Sequence, residues 1–197
     1  MLLTVDMSKT AITAAPIMPV LANRWSPRSY DSNYEVTQHE LLSILEAARW
    51  APSANNLQPW RFSIAKRGTE LFNKMVPGLN GFNAAWSPTA SAYIAVSVVK
   101  NNPDGSPSGT SHYDAGLAVS QLTIQAHELG LHVHTMGGIN HVALTETLEL
   151  PEELQLLVVL TIGKVAPAEQ LEGPAYEREI APRTRLDLDE IVLVGKP

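Results

Sequence analysis

Ala51-Pro-Ser-Ala-Asn-Asn-Leu-Gln-Pro-Trp-Arg-Phe62 separates a helical pattern from a strand pattern. Pro52 and Pro59 fix φ and deny this stretch a helix. Upstream, Thr37 and Glu40 form a capping-box pair, and Leu41, Ile44, Leu45 and Ala48 recur at helical spacing, so a helix is predicted over 37–50. Downstream, Trp60 to Ala65 alternates as a strand would. Ser53, Asn55, Asn56 and Gln58 are short polar side chains between the prolines. They can hydrogen-bond a flat polar ligand, or they can bond their own backbone as turn residues do.

Outward from this loop, residues 16–22 read as a helical turn or two, and residues 1–15 show no firm period. Residues 69–76 predict a short helix. Residues 77–88 are rich in Gly, Asn and aromatic residues and read as a mobile loop at the border of a pocket, or as a packed connector. The β-branched run 91–99 predicts a buried strand. In 113–129, Ala115, Ala118, Val119, Leu122, Ala126 and Leu129 share a helical face, and Gly130 stands where a C-terminal glycine belongs. Ala115, Gly116 and Ala118 would let another element approach closely. A strand is expected over 131–136, a helix over 143–150 and an apolar strand over 156–164. Residues 173–182 read as a Pro/Gly/charged connector, and 186–194 alternate. Strands and helices follow one another irregularly, which favours an α+β domain over a doubly wound one.

The chain has 197 residues, enough for one domain spanning 1–197 with a substantial core. Its net charge of −6 argues against wholesale nucleic-acid binding. It has no cysteine, so disulfides, thiolate metal sites and cysteine nucleophiles are excluded, and a cytoplasmic location is expected. No stretch approaches the ~18 apolar residues of a membrane helix, and residues 1–19, with Lys9 as their one cation, make a poor signal peptide.

Acid–base or nucleophilic machinery is not visible. The six histidines are 39, 112, 127, 132, 134 and 141. No nucleophile elbow, zinc-protease helix motif, phosphate loop or dinucleotide-binding glycine motif occurs. His132 and His134 would project from one strand face, but no carboxylate lies near them in sequence, and no metal site is expected. Asp114 opens a long helix, where a carboxylate favours the helix dipole. Anion binding is more promising. Four of the eight arginines sit in Arg24-x-Ser26-x-Arg28 and Arg183-x-Arg185. If the two motifs meet, they would hold one phosphate through paired guanidinium hydrogen bonds. Gly137-Gly138 would let a flat ring approach the backbone.

Taken together, Arg24-x-Ser26-x-Arg28, the Ala51–Trp60 loop, Asp114 with the Ala126-to-Leu131 helix end, Met136-Gly137-Gly138 and Arg183-x-Arg185 resemble the nitroreductase family of FMN enzymes, over about 24–194. The resemblance implies an α+β fold with a central mixed or antiparallel sheet flanked by helices, in an intertwined homodimer with FMN at the subunit interface. It implies hydride transfer from NADPH or NADH, by way of flavin N5, to nitroaromatics, quinones or similar small acceptors. By the same resemblance, Arg24, Ser26 and Arg28 contact phosphate and ribityl. Pro52, Ser53, Ala54, Asn56 and Gln58 cup the ring, partly from the other subunit. Met136, Gly137 and Gly138 lie near the ring, Arg183 and Arg185 complete the phosphate site, and segment 183–197 extends onto the partner. Many members carry Glu-Gly where this chain has Gly137-Gly138. Relatives with the same cofactor perform reductive dehalogenation or flavin fragmentation. A flavin-binding protein without turnover, or a small α+β domain with surface arginines, are the remaining readings.

Overall fold

The computed structural model describes residues 9–195. Strands β1 (Trp60–Lys66), β2 (Ala92–Val99), β3 (His132–Met136) and β4 (Leu154–Gly163) form one sheet in the order β1-β2-β4-β3. Every neighbouring pair is antiparallel. The helices are α1 (Pro19–Asn23), α2 (Gln38–Arg49), α3 (Glu70–Met75), α4 (Gly81–Trp86), α5 (Ser111–Glu128), α6 (His141–Thr147), α7 (Gly173–Ile180) and α8 (Leu188–Ile191). The α+β expectation holds, and the sheet is antiparallel throughout.

Period-two alternation sends the side chains of β2 to two cores. Ile94, Val96 and Val98 meet Leu41, Ile44 and Ala48 of α2 and Ala118 and Leu122 of α5. Tyr93 and Ala95 meet Phe72, Met75, Trp86 and Leu144 on the opposite face. Burying each large aliphatic side chain contributes about 1.5–3 kcal/mol. The small residues Ala115 and Ala118 are fully buried where α5 packs on α2, as their size requires.

The helix ends follow from local chemistry. Glu40 N–H donates to Thr37 Oγ1 at 3.2 Å and Thr37 N–H donates to Glu40 Oε2 at 2.8 Å, completing the capping box at α2. At the end of α5, Gly130 takes φ +73°. Its N–H donates to His127 O at 2.9 Å, and Leu131 N–H donates to Ala126 O at 2.8 Å. That paired pattern is a Schellman stop, which turns the chain directly into β3.

Two sequence expectations need correction, and one pair of open readings is decided. Residues 77–88 are a packed segment. Asn80 caps α4 by accepting from Asn83 N–H at 2.9 Å, and Trp86 is 2% exposed, within 6.4 Å of Tyr30 and 4.7 Å of His134. The aromatic residues that suggested a pocket rim instead fill the second core. Residues 173–180 form helix α7, started by Pro174 in its first turn, where a missing N–H costs nothing. Its buried face is Ala175 and Glu179, four residues apart. Residues 188–191 form the short helix α8, where Asp187 N–H donates to Glu190 Oε1 at 3.3 Å. No helix among the described residues is long and apolar enough to cross a membrane.

Candidate functional site

The segment from Arg24 to Asp31 runs as a strap between α1 and α2. Asp31 N–H donates to Lys164 O at 2.9 Å and Ala166 N–H to Ser29 O at 3.1 Å. The strap therefore pairs antiparallel, through Tyr30 and Val165, with the chain that continues β4. Its other edge is held by α7, where Glu179 Oε2 accepts from Arg28 N–H at 2.7 Å and Oε1 from Ser29 N–H at 3.2 Å. β3 supports it from beneath. His134 Nδ1 bonds Pro27 O at 2.9 Å, and Trp25 packs edge-on to His132 at 6.1 Å. Burial holds both His132 and His134 down at about 4, so both are neutral at neutral pH. The histidine pair is thus a support for the strap.

The strap and the chain after α7 enclose a cleft of about 200 Å³. Arg24, Ser26, Arg183 and Arg185 line it together, as do Lys9 and Arg178. None of its described lining residues is acidic. In a chain of net charge −6 this is a concentrated cationic site. Burial and then the nearby Arg183 and Arg185 push the Arg24 guanidinium down from its ordinary value. Burial and then Arg185 do the same to Arg183. Crowded like charges of this kind are relieved by an anion. Arg183 also ties the cleft shut at its base. Its Nη1 donates to the carbonyls of Lys9 and Ala22, while Lys9 Nζ donates to Ala181 O at 2.6 Å.

Arg28 departs from its motif partners. Its guanidinium lies 5.8 Å from the Phe82 ring and 6.0 Å from the Trp86 ring, and Arg178 sits 4.4 Å over the same Phe82. Arg28 Nε is buried with no hydrogen-bond partner among the described residues. Met136, expected near a ring, has its side chain in the second core. The next two residues have different tasks. Gly137 is exposed, and a Cβ there would meet nothing within 4 Å. A Cβ at Gly138 would fall 2.1 Å from Asn80 Nδ2. Gly138 O accepts from Asn80 N–H and Asn83 Nδ2, each at 3.0 Å, so α4 holds this turn.

The proline-bounded loop is strained. Asn55, Asn56 and Gln58 all have left-handed φ, at 49°, 55° and 47°. Non-glycine residues in this region cost about 1–2 kcal/mol each, less for Asn, and cluster at functional sites. Local bonds keep the loop in place. Gln58 N–H donates to Ser53 Oγ at 3.0 Å, and Gln58 Nε2 donates to Asn56 O at 2.9 Å and Oδ1 at 3.0 Å. Ala54 N–H donates to the buried Asp114 carboxylate at 3.2 Å. Asp114 is therefore the anchor of the loop. The anchor also fixes where the loop lies. Asp114 is in the first turn of α5, whereas Arg24 stands beside His127 near its far end, lowering the His127 pKa after burial does. These two points along α5 are about 20 Å apart.

A cationic cleft on one end, a strained polar loop on the other and an antiparallel α+β frame give a specific arrangement to compare. The nitroreductase family description matches residues 21–84 and 79–164. The chain belongs to the nitroreductase family. A crystal structure titled as an oxidoreductase containing FMN is 35% identical, with a TM-score of 0.88 and 94% of each chain covered. A Desulfovibrio desulfuricans protein, provisionally titled a nitroreductase in complex with FMN, is 25% identical, with a TM-score of 0.74, 94% of this chain and 99% of that chain covered. YdgI of Bacillus subtilis strain 168, provisionally named an NAD(P)H nitroreductase, is 30% identical over 186 residues, covering 76% of this chain and 88% of its own.

In this chain, sequence reasoning missed Lys9, Arg178, Glu179 and Asn83. Lys9 lies in an arm without periodicity. Arg178 and Glu179 lie in a helix of two turns that its Gly and Pro disguised. Asn83 acts on a carbonyl 55 residues away, which leaves no local signal.

Proposed function

We propose that this nitroreductase is an FMN-dependent oxidoreductase. When bound, FMN supplies a ping-pong hydride route, by way of N5, from NADPH or NADH to a nitroaromatic, quinone or similar small acceptor. The observation that carries the reading is the convergence of Arg24, Ser26, Arg183 and Arg185 on one cleft free of described acids.

The residues present fit a phosphomonoester. Guanidinium forks match its oxygens in pairs, and the Ser26 hydroxyl adds one more donor. The unpartnered Arg28 Nε offers a further N–H beside the strap. Arg24, Ser26, Arg183 and Arg185 hold the phosphate end, and Arg28 stands beside it with its guanidinium toward Phe82 and Trp86. Gly137 leaves room for the ring, while Met136 fixes the turn from the core and Gly138 O fixes it through Asn80 and Asn83. The absence of an acid–base pair suits a cofactor that carries the difficult chemistry. The protein's own task is to bind, to orient and to place N–H donors and positive charge.

The loop residues Pro52, Ser53, Ala54, Asn56 and Gln58 belong to a second copy's site. Within one copy their anchor and the cleft lie at opposite ends of α5, so a homodimer is the arrangement that brings both halves to one ligand. Segment 183–197, described to residue 195, reaches onto that partner through its described part. Leu186, Leu188, Ile191, Leu193 and Val194 are all exposed, which supports an apolar contact there. A single domain in the cytoplasm fits these features.

The test is ligand choice in the protein stripped of flavin. FMN and riboflavin differ only by the phosphate. FMN should bind at least about tenfold more tightly, since charged hydrogen bonds contribute about 1.5–3 kcal/mol. Equal affinities, measured by quenching of flavin fluorescence, would remove the cleft from the cofactor site.

A further inference from the structure

Glu179 is a buried carboxylate in the middle of a cationic neighbourhood, and no chemistry described above uses it. It is 2% exposed. Burial pushes it up from the ordinary carboxylate range, against the pull of the Arg28 and Ser29 N–H groups and of the Arg28 and Lys9 cations. A buried acid is costly unless its position needs an anion. Here both oxygens are used, each accepting from one of two successive backbone N–H groups, at 2.7 and 3.2 Å. A carboxylate suits that task because both its oxygens are acceptors, whereas an amide offers one acceptor and one donor.

The connections of α7 give this contact its consequence. Glu179 grips the strap at Arg28 and Ser29. The neighbouring Arg178 lies over Phe82, and Ala181 O, at the end of α7, receives Lys9 Nζ. Arg183 and Arg185 follow directly. The Glu179 side chain thus links the strap to the helix that leads into the C-terminal arginine motif, beside the bonds of Arg183 to the carbonyls of Lys9 and Ala22. We propose that Glu179 is a positioning residue for phosphate recognition, an internal anion that sets the Arg24–Arg28 strap at the correct distance from Arg183 and Arg185. It acts through the strap and does not touch the ligand. The inference rests on the FMN reading of the cleft.

The test compares FMN with riboflavin on Glu179→Gln and Glu179→Asp. Gln keeps the size but turns a donor toward one strap N–H, leaving that N–H unpaired. FMN affinity should fall about tenfold in Glu179→Gln, the cost of one buried unpaired donor. Riboflavin affinity should stay at the wild-type value, because the ring site is intact. Glu179→Asp keeps the charge and both acceptors and should recover part of the FMN preference. The riboflavin measurement also reports whether each variant is folded. An unchanged FMN-to-riboflavin ratio in Glu179→Gln would overturn the inference. So would parallel loss of both ligands, which marks a general structural role, or tighter FMN binding, which marks Glu179 as a competitor of the phosphate. A wild-type protein with no preference for FMN would instead remove the FMN reading, and this inference with it.

Discussion

Arg24→Ala should weaken FMN binding about 10- to 100-fold, the loss of a charge-assisted contact, while leaving riboflavin binding and thermal stability close to wild type. Arg24 lines the cleft, has no acidic partner among the described residues and is crowded by Arg183 and Arg185. Its removal relieves repulsion in the empty protein, so the fold gains nothing from keeping it. Arg183→Ala serves as the contrast. Arg183 also donates to the carbonyls of Lys9 and Ala22, so its loss should lower both FMN affinity and the melting temperature. Isothermal titration with FMN and riboflavin, beside thermal unfolding, separates the two cases. An Arg24→Ala protein with wild-type FMN affinity would remove Arg24 from the phosphate site.

Trp86→Ala should destabilise the protein by about 3–5 kcal/mol, the cost of a large buried aromatic. Trp86 is 2% exposed and packs beside Tyr30 and His134, with the Arg28 guanidinium 6.0 Å from its ring. It therefore joins α4, β3 and the strap in one contact group. The loss should also reach the site, because His134 supports Pro27 and α4 holds the Gly138 turn through Asn80 and Asn83. Urea unfolding measures the first effect. Hydrogen exchange at Asn80 and Ile139 measures the second, since both N–H groups bond within the Gly137–Gly138 turn. A small change in both would mean that residues 77–88 are the loose loop their composition suggested.

What could be read from the residues divides along physical lines. Local rules were enough for α2, where Thr37 and Glu40 cap each other, for the stop at Gly130, and for β2, whose β-branched run can only be buried. They failed at α7, where Gly173 and Pro174 obscured a helix held by its tertiary contact with the strap. They failed again at residues 77–88, because the same aromatic residues suit a pocket rim or a core, and only the partners Tyr30 and His134 decide which. The candidate site was legible as a set of motifs. Arg24, Ser26, Arg183 and Arg185 do converge. Arg28 does not line the same cleft, because its guanidinium is drawn to Phe82 and Trp86. The left-handed backbone at Asn55, Asn56 and Gln58 has no sequence rule behind it beyond the tolerance of Asn for that region. Asp114 holds it from 60 residues away.

The most direct test of the proposed chemistry is the visible absorbance spectrum of the purified protein supplied with FMN, recorded before and after anaerobic addition of NADPH and, separately, NADH. A bound-flavin spectrum that bleaches with at least one donor, and returns when a quinone or nitroaromatic is added, is the expected result. A bound flavin that neither donor bleaches would contradict turnover. A protein that stays colourless in excess FMN would contradict the assignment of the arginine cleft and the Pro52–Pro59 loop altogether.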